Sequence, residues 1–329
     1  METSSAGHRL GFAVKVIGER ALPSHDTRRW QSGPHLRTSL ARLGAIVEYL
    51  DRIDVRMYRV TSDLAPYATH PDLPQFHDQL DECRDTLAGI GARVRELGIR
   101  LSSHPGQYVV LNSENERVQA AAARDLELQA ALFDAMDLDD EAVVVLHVGG
   151  SAGGVEAALG RFEQGLDLLS DAARRRLVVE NDDRGFALVD VLGIARRTGL
   201  RVVWDILHHH CHDPARLPDR EALALALGTW PDTTRPKIHF SSPRTNLDER
   251  VVREGRRVRR IPVVPQLRAH ADLIDPIAFA TFLEDARELR PFDIMLEAKG
   301  KDVALLELRR QLERRGARFE AGGLVTFPA

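Results

Sequence analysis

His104, His147, Glu180, Asp205, His208, His239, His270 and Glu297 are eight side chains able to hold a cation, and each stands at the end of an apolar, β-type run. The pattern is plainest in VVVLHVGG around His147, LVVEND around Glu180 and DIMLEAK around Glu297. Imidazole nitrogens and carboxylate oxygens suit borderline or hard ions such as Zn²⁺ or Mn²⁺, and the lack of sulfur donors disfavours Cu(I) and iron–sulfur chemistry. Eight donors are too many for one ion. Three ligands plus water for each ion would seat two or three ions on shared carboxylates, with Glu180 and Asp205 as the candidate bridges. Centres of that kind hydrolyse phosphoesters by activating water and stabilising the leaving oxygen. A single histidine at a strand end is by default structural or solvated, and His209, His210 and His212 are read that way. Five histidines and three carboxylates at successive strand ends carry more weight, because burying so many polar groups without a function is costly.

Collecting such a set requires strands whose ends meet. Eight strand-like segments run through the chain: Leu10 to Val16, Val55 to Val60, Ile99 to Ser103, Ala142 to Val148, Leu177 to Glu180, Arg201 to Asp205, Lys237 to Phe240 and Phe292 to Ala298. Between and after them lie amphipathic patterns such as SLARLGAIVEYLD, QAAAARDLELQAALFDAM, GRFEQGLDLLSDAARR and DVALLELRRQLERR, apolar at i, i+3, i+4 and i+7. Such alternation is the signature of βα units closing a parallel sheet. A (β/α)8 TIM barrel of about 250 residues with added loops accommodates the chain, which is read as one domain over residues 1–329. Two connections are long, at about 18–38 and 241–268. Both follow a strand, so both would rise from the C-terminal face of the barrel, where active sites are built.

Composition narrows the function classes. With 43% hydrophobic residues the chain can bury one large core, and 45 basic against 49 acidic residues give a net charge of −4, as in a soluble protein. That balance leaves a nucleic-acid partner open if basic residues cluster locally. They do so in RVVREGRRVRR, which places Arg250, Arg253, Arg256, Arg257, Arg259 and Arg260 in the second long connection. Near a phosphodiesterase centre this density reads as a clamp on the DNA backbone; a solvated loop or a structural β-hairpin is the ordinary alternative. Cys83 and Cys211 stand far apart, so neither a disulfide framework nor a thiolate zinc finger is indicated and a reducing cytoplasm is expected. The opening METSSAGHR lacks an apolar signal core, and no run approaches the roughly 18 apolar residues of a membrane span.

Two further positions invite chemistry. Lys237 lies two residues before His239, so on one strand their side chains share a face. An ammonium beside several cations is repelled, which leaves a phosphate contact or a neutral amine, against the alternative of a rim lysine leaning into solvent. Gln107 and Tyr108 follow a Pro105–Gly106 turn signal that would project them from the barrel mouth, and an aromatic ring with an amide beside it suits insertion into a distorted base stack. Alternatively, Tyr108 opens the apolar run VVL and packs.

Taken in order, SSHPGQYVVLNS, VLHVGG, VVENDD, WDILHHH, PKIHFSSPR, HAD and DIMLEAKGKDVALLEL resemble the ultraviolet damage endonuclease family, over about Leu10 to Leu308. The resemblance implies a metal-dependent barrel related to apurinic endonucleases and to isomerases of the xylose isomerase type. It further implies ATP-independent incision of damaged double-stranded DNA immediately 5′ to a lesion such as a pyrimidine dimer, leaving a 3′-hydroxyl and a 5′-phosphate. By the same resemblance all eight donors fall on metal positions, manganese is the expected ion with zinc and magnesium as alternatives, and Glu180, Glu297 and Lys237 carry catalysis. Lys237 would bear a carboxylate adduct as a further ligand, and Gln107 and Tyr108 would probe the lesion. The chain departs from the family at its first strand. Typical members have Gly-Tyr there and an asparagine shortly after, whereas this chain reads Gly11, Phe12, Ala13, Val14, Lys15, Val16. The segment with His25, Arg28, Arg29, Trp30 and His35 is also unlike a minimal member. An apurinic-site endonuclease or a sugar isomerase on the same barrel is the runner-up, and a lesion-binding module without turnover is the non-enzyme alternative.

Overall fold

Every one of the eight expected strands forms, and together they make a parallel ring in the computed structural model, which describes residues 7–18, 22–255, 257–320 and 322–326. The wall consists of β1 (His8–Ala13), β2 (Met57–Arg59), β3 (Arg100–Ser103), β4 (Val143–His147), β5 (Leu177–Glu180), β6 (Arg201–Val203), β7 (Lys237–Phe240) and, after a hairpin of β8 (Asp248–Glu254) and β9 (Arg257–Val263), β10 (Asp293–Leu296). Strands β1 to β6 pair in sequence, and β10 pairs with β1 on one side and β7 on the other. A single parallel bridge from Asp205 to His239 closes the ring, with the His239 N–H donating to the Trp204 carbonyl at 3.0 Å.

The strands read as nearly continuous apolar runs because both of their faces are buried. Outward residues such as Val144, Leu146, Val179, Val202, Ile238 and Leu296 join the large core under the helices, while Val143, Val145, Val178 and Val203 fill the interior. Beneath them, at the N-terminal end, the Trp230 ring lies 4.9 Å from the Arg201 guanidinium and 5.7 Å from that of Arg100. In the same layer the fully buried Asp293 carboxylate pairs with Arg9, Arg235 and Arg100 at 2.7, 2.8 and 2.9 Å. That end of the barrel is thus plugged by charge pairs and an indole, and the ligand-rich end is the open mouth.

Local chemistry explains where the elements depart from the sequence reading. β1 stops at Ala13 instead of running to Val16, because Val14 takes a positive φ of 63° and turns the chain. The pattern GRFEQGLDLLSDAARR forms two helices, Val155–Leu166 and Asp171–Arg176, since the Ser170 hydroxyl accepts the Ala173 N–H and starts a second helix. A C-terminal hairpin of β11 (Arg318–Glu320) and β12 (Leu324–Thr326) adds antiparallel to the start of β1, a feature that the sequence reading lacks. The first long connection is tied down: Asp302 accepts the Ile17 and Gly18 N–H groups, and buried Asp26 takes the Arg28 guanidinium at 2.6 Å and the His35 N–H at 3.0 Å. Among the described residues no helix is long and apolar enough to cross a membrane.

Candidate metal centre

Six of the eight donors sit on or just beyond barrel strands: His104 after β3, His147 ending β4, Glu180 ending β5, Asp205 after β6, His239 within β7 and Glu297 after β10. The other two correct the expectation of eight strand ends. His208 lies on the short helix Ile206–Cys211, whose first turn Asp205 caps by accepting the His208 N–H at 2.8 Å, and His270 lies in a loop bridged to Pro243. A strand end that caps a one-turn helix presents residues i and i+3 together, so WDILH delivers two donors from one turn.

Glu180 is the hub. It is wholly buried, with one carboxylate oxygen 2.7 Å from His239 Nδ1 and the other 2.9 Å from His104 Nε2 and 3.6 Å from His147 Nε2. Among the described residues three groups have donor atoms within 4.8 Å of one another: His104, Glu180 and His239; His147, Glu180 and His208; and Glu180, Asp205, His239 and Glu297. Glu180 belongs to all three, whereas Asp205, the other candidate bridge, belongs to one. His270 Nε2 stands 3.8 Å from Glu297.

The electrostatics suit cations. Burial opposes ionisation of Glu180, yet the imidazoles of His239 and His147 hold its carboxyl well below the ordinary range. Burial likewise opposes ionisation of Glu297, and the Arg59 guanidinium, paired with it, holds it low. Burial pushes Asp205 up, with Glu180 and Glu297 adding to the effect. His239 is pushed down to about 4 by burial, which keeps the imidazole neutral, as a ligand must be. The Oδ2 of Asp205 and the Nε2 of His239 are buried without a hydrogen-bond partner. Buried orphans of this kind are rare and expensive. His208 goes the other way: burial opposes its charge, but the carboxylates of Asp205, Glu180 and Glu297 push it up to about 9, so it holds a proton that a cation would displace. The ionised Glu180 and Glu297, the neutral His239 and the unspent lone pairs of Asp205 and His239 fit divalent ions.

Lys237 is not at the rim. It is fully buried beneath His239 with Nζ donating to Ser102 Oγ at 2.9 Å, and burial, then Arg59 and Arg100, hold its amine well below the ordinary range. Its burial does not fit a rim lysine or a phosphate contact and is compatible with a neutral amine or with the carboxylate adduct. Sequence reasoning missed Arg59 and Asn181. Arg59 carried no signal, since it ends a three-residue strand, but Asn181 stood in VVENDD beside Glu180: its side chain brackets the Asp205 backbone with bonds of 3.0 and 2.9 Å.

Around the mouth, Gly106, Gln107 and Tyr108 are exposed; Tyr108, at 85% exposure, does not pack. Phe12, in the first strand where the chain departs from the family pattern, is buried against the Tyr58 ring. His209 donates to the Leu217 carbonyl and His210 meets Asp219, so both have structural partners. Arg250, Arg253, Arg257, Arg259 and Arg260 lie on the β8–β9 hairpin; Arg256 is outside the described residues.

Residues 34–322 match the family described as UV-endonuclease UvdE. The chain belongs to that family. It is 32% identical over 288 residues to a UV DNA damage endonuclease of Bacillus velezensis, covering 86% of this chain and 83% of that one, and 30% identical over 295 residues to a Bacillus cereus protein of the same name. The crystal structure titled SacUVDE aligns with a TM-score of 0.78 at 31% identity, covering 94% of this chain and 99% of the other. A D-tagatose 3-epimerase-like protein aligns with a TM-score of 0.56 at 15% identity, which shows the shared fold alone. The expected xylose isomerase-like TIM barrel is therefore the fold, and the UV damage endonuclease family is the one the motifs indicated.

Proposed function

We propose that the chain is a metal-dependent, ATP-independent endonuclease that incises damaged duplex DNA immediately 5′ to ultraviolet photoproducts, leaving a 3′-hydroxyl and a 5′-phosphate and so opening excision repair. The observation that carries this reading is the buried Glu180 carboxylate shared among three donor groups at the open mouth of the barrel. Two or three divalent ions, manganese foremost, would be held by His104, His147, Glu180, Asp205, His208, His239, His270 and Glu297, and when bound they supply water activation and stabilisation of the leaving oxygen.

The remaining work falls to the chain's own groups. Arg59 fixes the Glu297 carboxylate, and Asn181 fixes the turn that carries Asp205 and His208. Lys237, held neutral on Ser102, is able to take up carbon dioxide on Nζ with loss of a proton, giving a further carboxylate under the centre. Gln107 and Tyr108 fill the space left when a damaged step unstacks, and the hairpin arginines Arg257, Arg259 and Arg260, with Arg256, hold phosphates.

Incubation with Mn²⁺ and ultraviolet-irradiated, abasic or undamaged duplexes tests the reading. Incision of the irradiated duplex 5′ to the photoproduct, with an end that a polymerase extends, is the expected result. Cleavage confined to abasic duplex indicates the apurinic-site reading instead, and binding without cleavage under any divalent ion indicates a lesion-binding module.

A further inference from the structure

The arginines of the second long connection do not form one patch. In the β8–β9 register Arg250 faces Ile261, Val251 faces Arg260, Val252 faces Arg259, Arg253 faces Val258 and Glu254 faces Arg257. Directly opposed residues of an antiparallel pair share a face, and faces alternate along each strand. Arg250, Arg257 and Arg259 therefore lie on one side of the ribbon and Arg253 and Arg260 on the other. The two strands form a sheet of their own, every residue of β9 is exposed, and Val251 and Val258 stand 54% and 63% exposed between arginines of the second side. A hairpin serving only to cover the barrel would have one apolar face and one polar one. This ribbon has neither.

We propose that the β8–β9 ribbon enters the major groove of the duplex beside the incision site, with each face meeting the phosphates of a different strand. A single phosphate row can engage only one face, whereas a groove has a charged wall on each side. The minor groove, about 6 Å wide, is too narrow for two strands about 4.8 Å apart with side chains on both faces, and the major groove, about 12 Å wide, admits a β-ribbon. Seven residues per strand give a ribbon of about 24 Å, close to seven base steps of about 3.4 Å. Its root is fixed to the metal centre, since Pro243 bridges to His270 and the Arg244 N–H donates to the Ala269 carbonyl at 2.7 Å. Asp248 and Glu249 sit at that root and Glu254 beside the turn, so most of the ribbon's arginines lie between acidic ends. Arg260 pairs with Glu249 at 3.0 Å, but both are exposed and such a pair is weak enough to be exchanged for a phosphate.

The inference rests on the DNA reading above, and its test separates the two. Arg250→Gln/Arg257→Gln/Arg259→Gln and Arg253→Gln/Arg260→Gln would each be assayed with Mn²⁺-loaded full-length enzyme for binding to an irradiated duplex across a salt series and for guanine N7 protection from methylation. At about 0.9 per phosphate contact, the three-arginine set should flatten the log–log salt slope by about 1 to 3 and the two-arginine set by about 1 to 2. Each should also remove N7 protection confined to one arm within about seven base pairs of the cut. A slope that responds to only one set, or no N7 protection in the wild type, overturns groove entry while leaving the endonuclease reading intact. Absence of duplex binding by the wild type overturns both.

Discussion

The Asn181 main-chain carbonyl accepts the Nδ1 proton of His208 at 3.0 Å. A carbonyl can only accept, so the proton must reside on Nδ1, and Nε2 is left as the ligating nitrogen. The Asn181 side chain also holds the Asp205 backbone, which makes one residue the support of two candidate ligands. Asn181→Ala keeps the main-chain carbonyl that serves His208 and removes both side-chain bonds to the Asp205 backbone; it is expected to weaken metal affinity by about 10-fold, the lower end of the cost of losing such a support, with incision restored at high Mn²⁺. A metal titration of incision decides it; an unshifted midpoint removes the positioning role.

Glu180→Gln and Glu297→Gln should each lower incision by at least about 100-fold while damaged-duplex binding persists, because amides are poorer metal ligands and the hairpin is untouched. Chelation should have the same effect and be reversed by Mn²⁺. Rates equal to wild type in metal-limited buffer, for either variant, would rule out the shared-carboxylate centre.

Metals cannot choose a lesion, since every phosphate offers them the same chemistry. A dimerised step is already partly unstacked, so wedging it costs less than the few kcal/mol demanded by intact DNA. The Gln107→Ala/Tyr108→Ala variant should keep its metals and its weak affinity for plain duplex, and lose most of its preference for irradiated DNA. If competition binding shows undiminished discrimination, lesion sensing lies elsewhere, with the segment around half-exposed Trp30 as the next candidate.

At the opposite end of the barrel, Asp293→Asn leaves the fully buried Arg100 without its carboxylate partner, a loss of about 3–5 kcal/mol. Burial opposes ionisation of Asp293, but Arg9, Arg100 and Arg235 hold its carboxyl below the ordinary value. A depressed carboxylate stabilises the fold fully above its unfolded pKa of about 3.9 and loses that contribution as pH falls through the folded value. Urea midpoints should therefore fall in acid for the wild type, and the gap between wild type and variant should narrow there. A gap that is constant from about pH 6 to pH 3 contradicts this account.

Much of this was legible in the chain because a strand buried on both faces writes itself as a run of Val, Ile and Leu, and a polar residue ending such a run is conspicuous. His147, Glu180 and Glu297 were visible for that reason. Arg59 was not, since Met57–Arg59 is short and its arginine matters only through reaching Glu297 past the intervening β1. His208 was visible as a donor but read as standing at a strand end, whereas Asp205 starts a short helix there through a local cap and carries His208 one turn beyond the strand. The arginine run was obvious, yet its division between two faces depends on a register that only the folded hairpin defines.

That closing bridge from Asp205 to His239 also orders events in time. Six strands and three of the donors, His104, His147 and Glu180, precede it in the chain, but the ring is sealed only when β7 meets β6 and β10 meets both β7 and β1. An incomplete chain emerging from synthesis therefore has the first donors without the partners that make them a centre. The donors meet only once β10 has closed on β1 and β7, so the centre belongs to the closed ring and to no single segment of it.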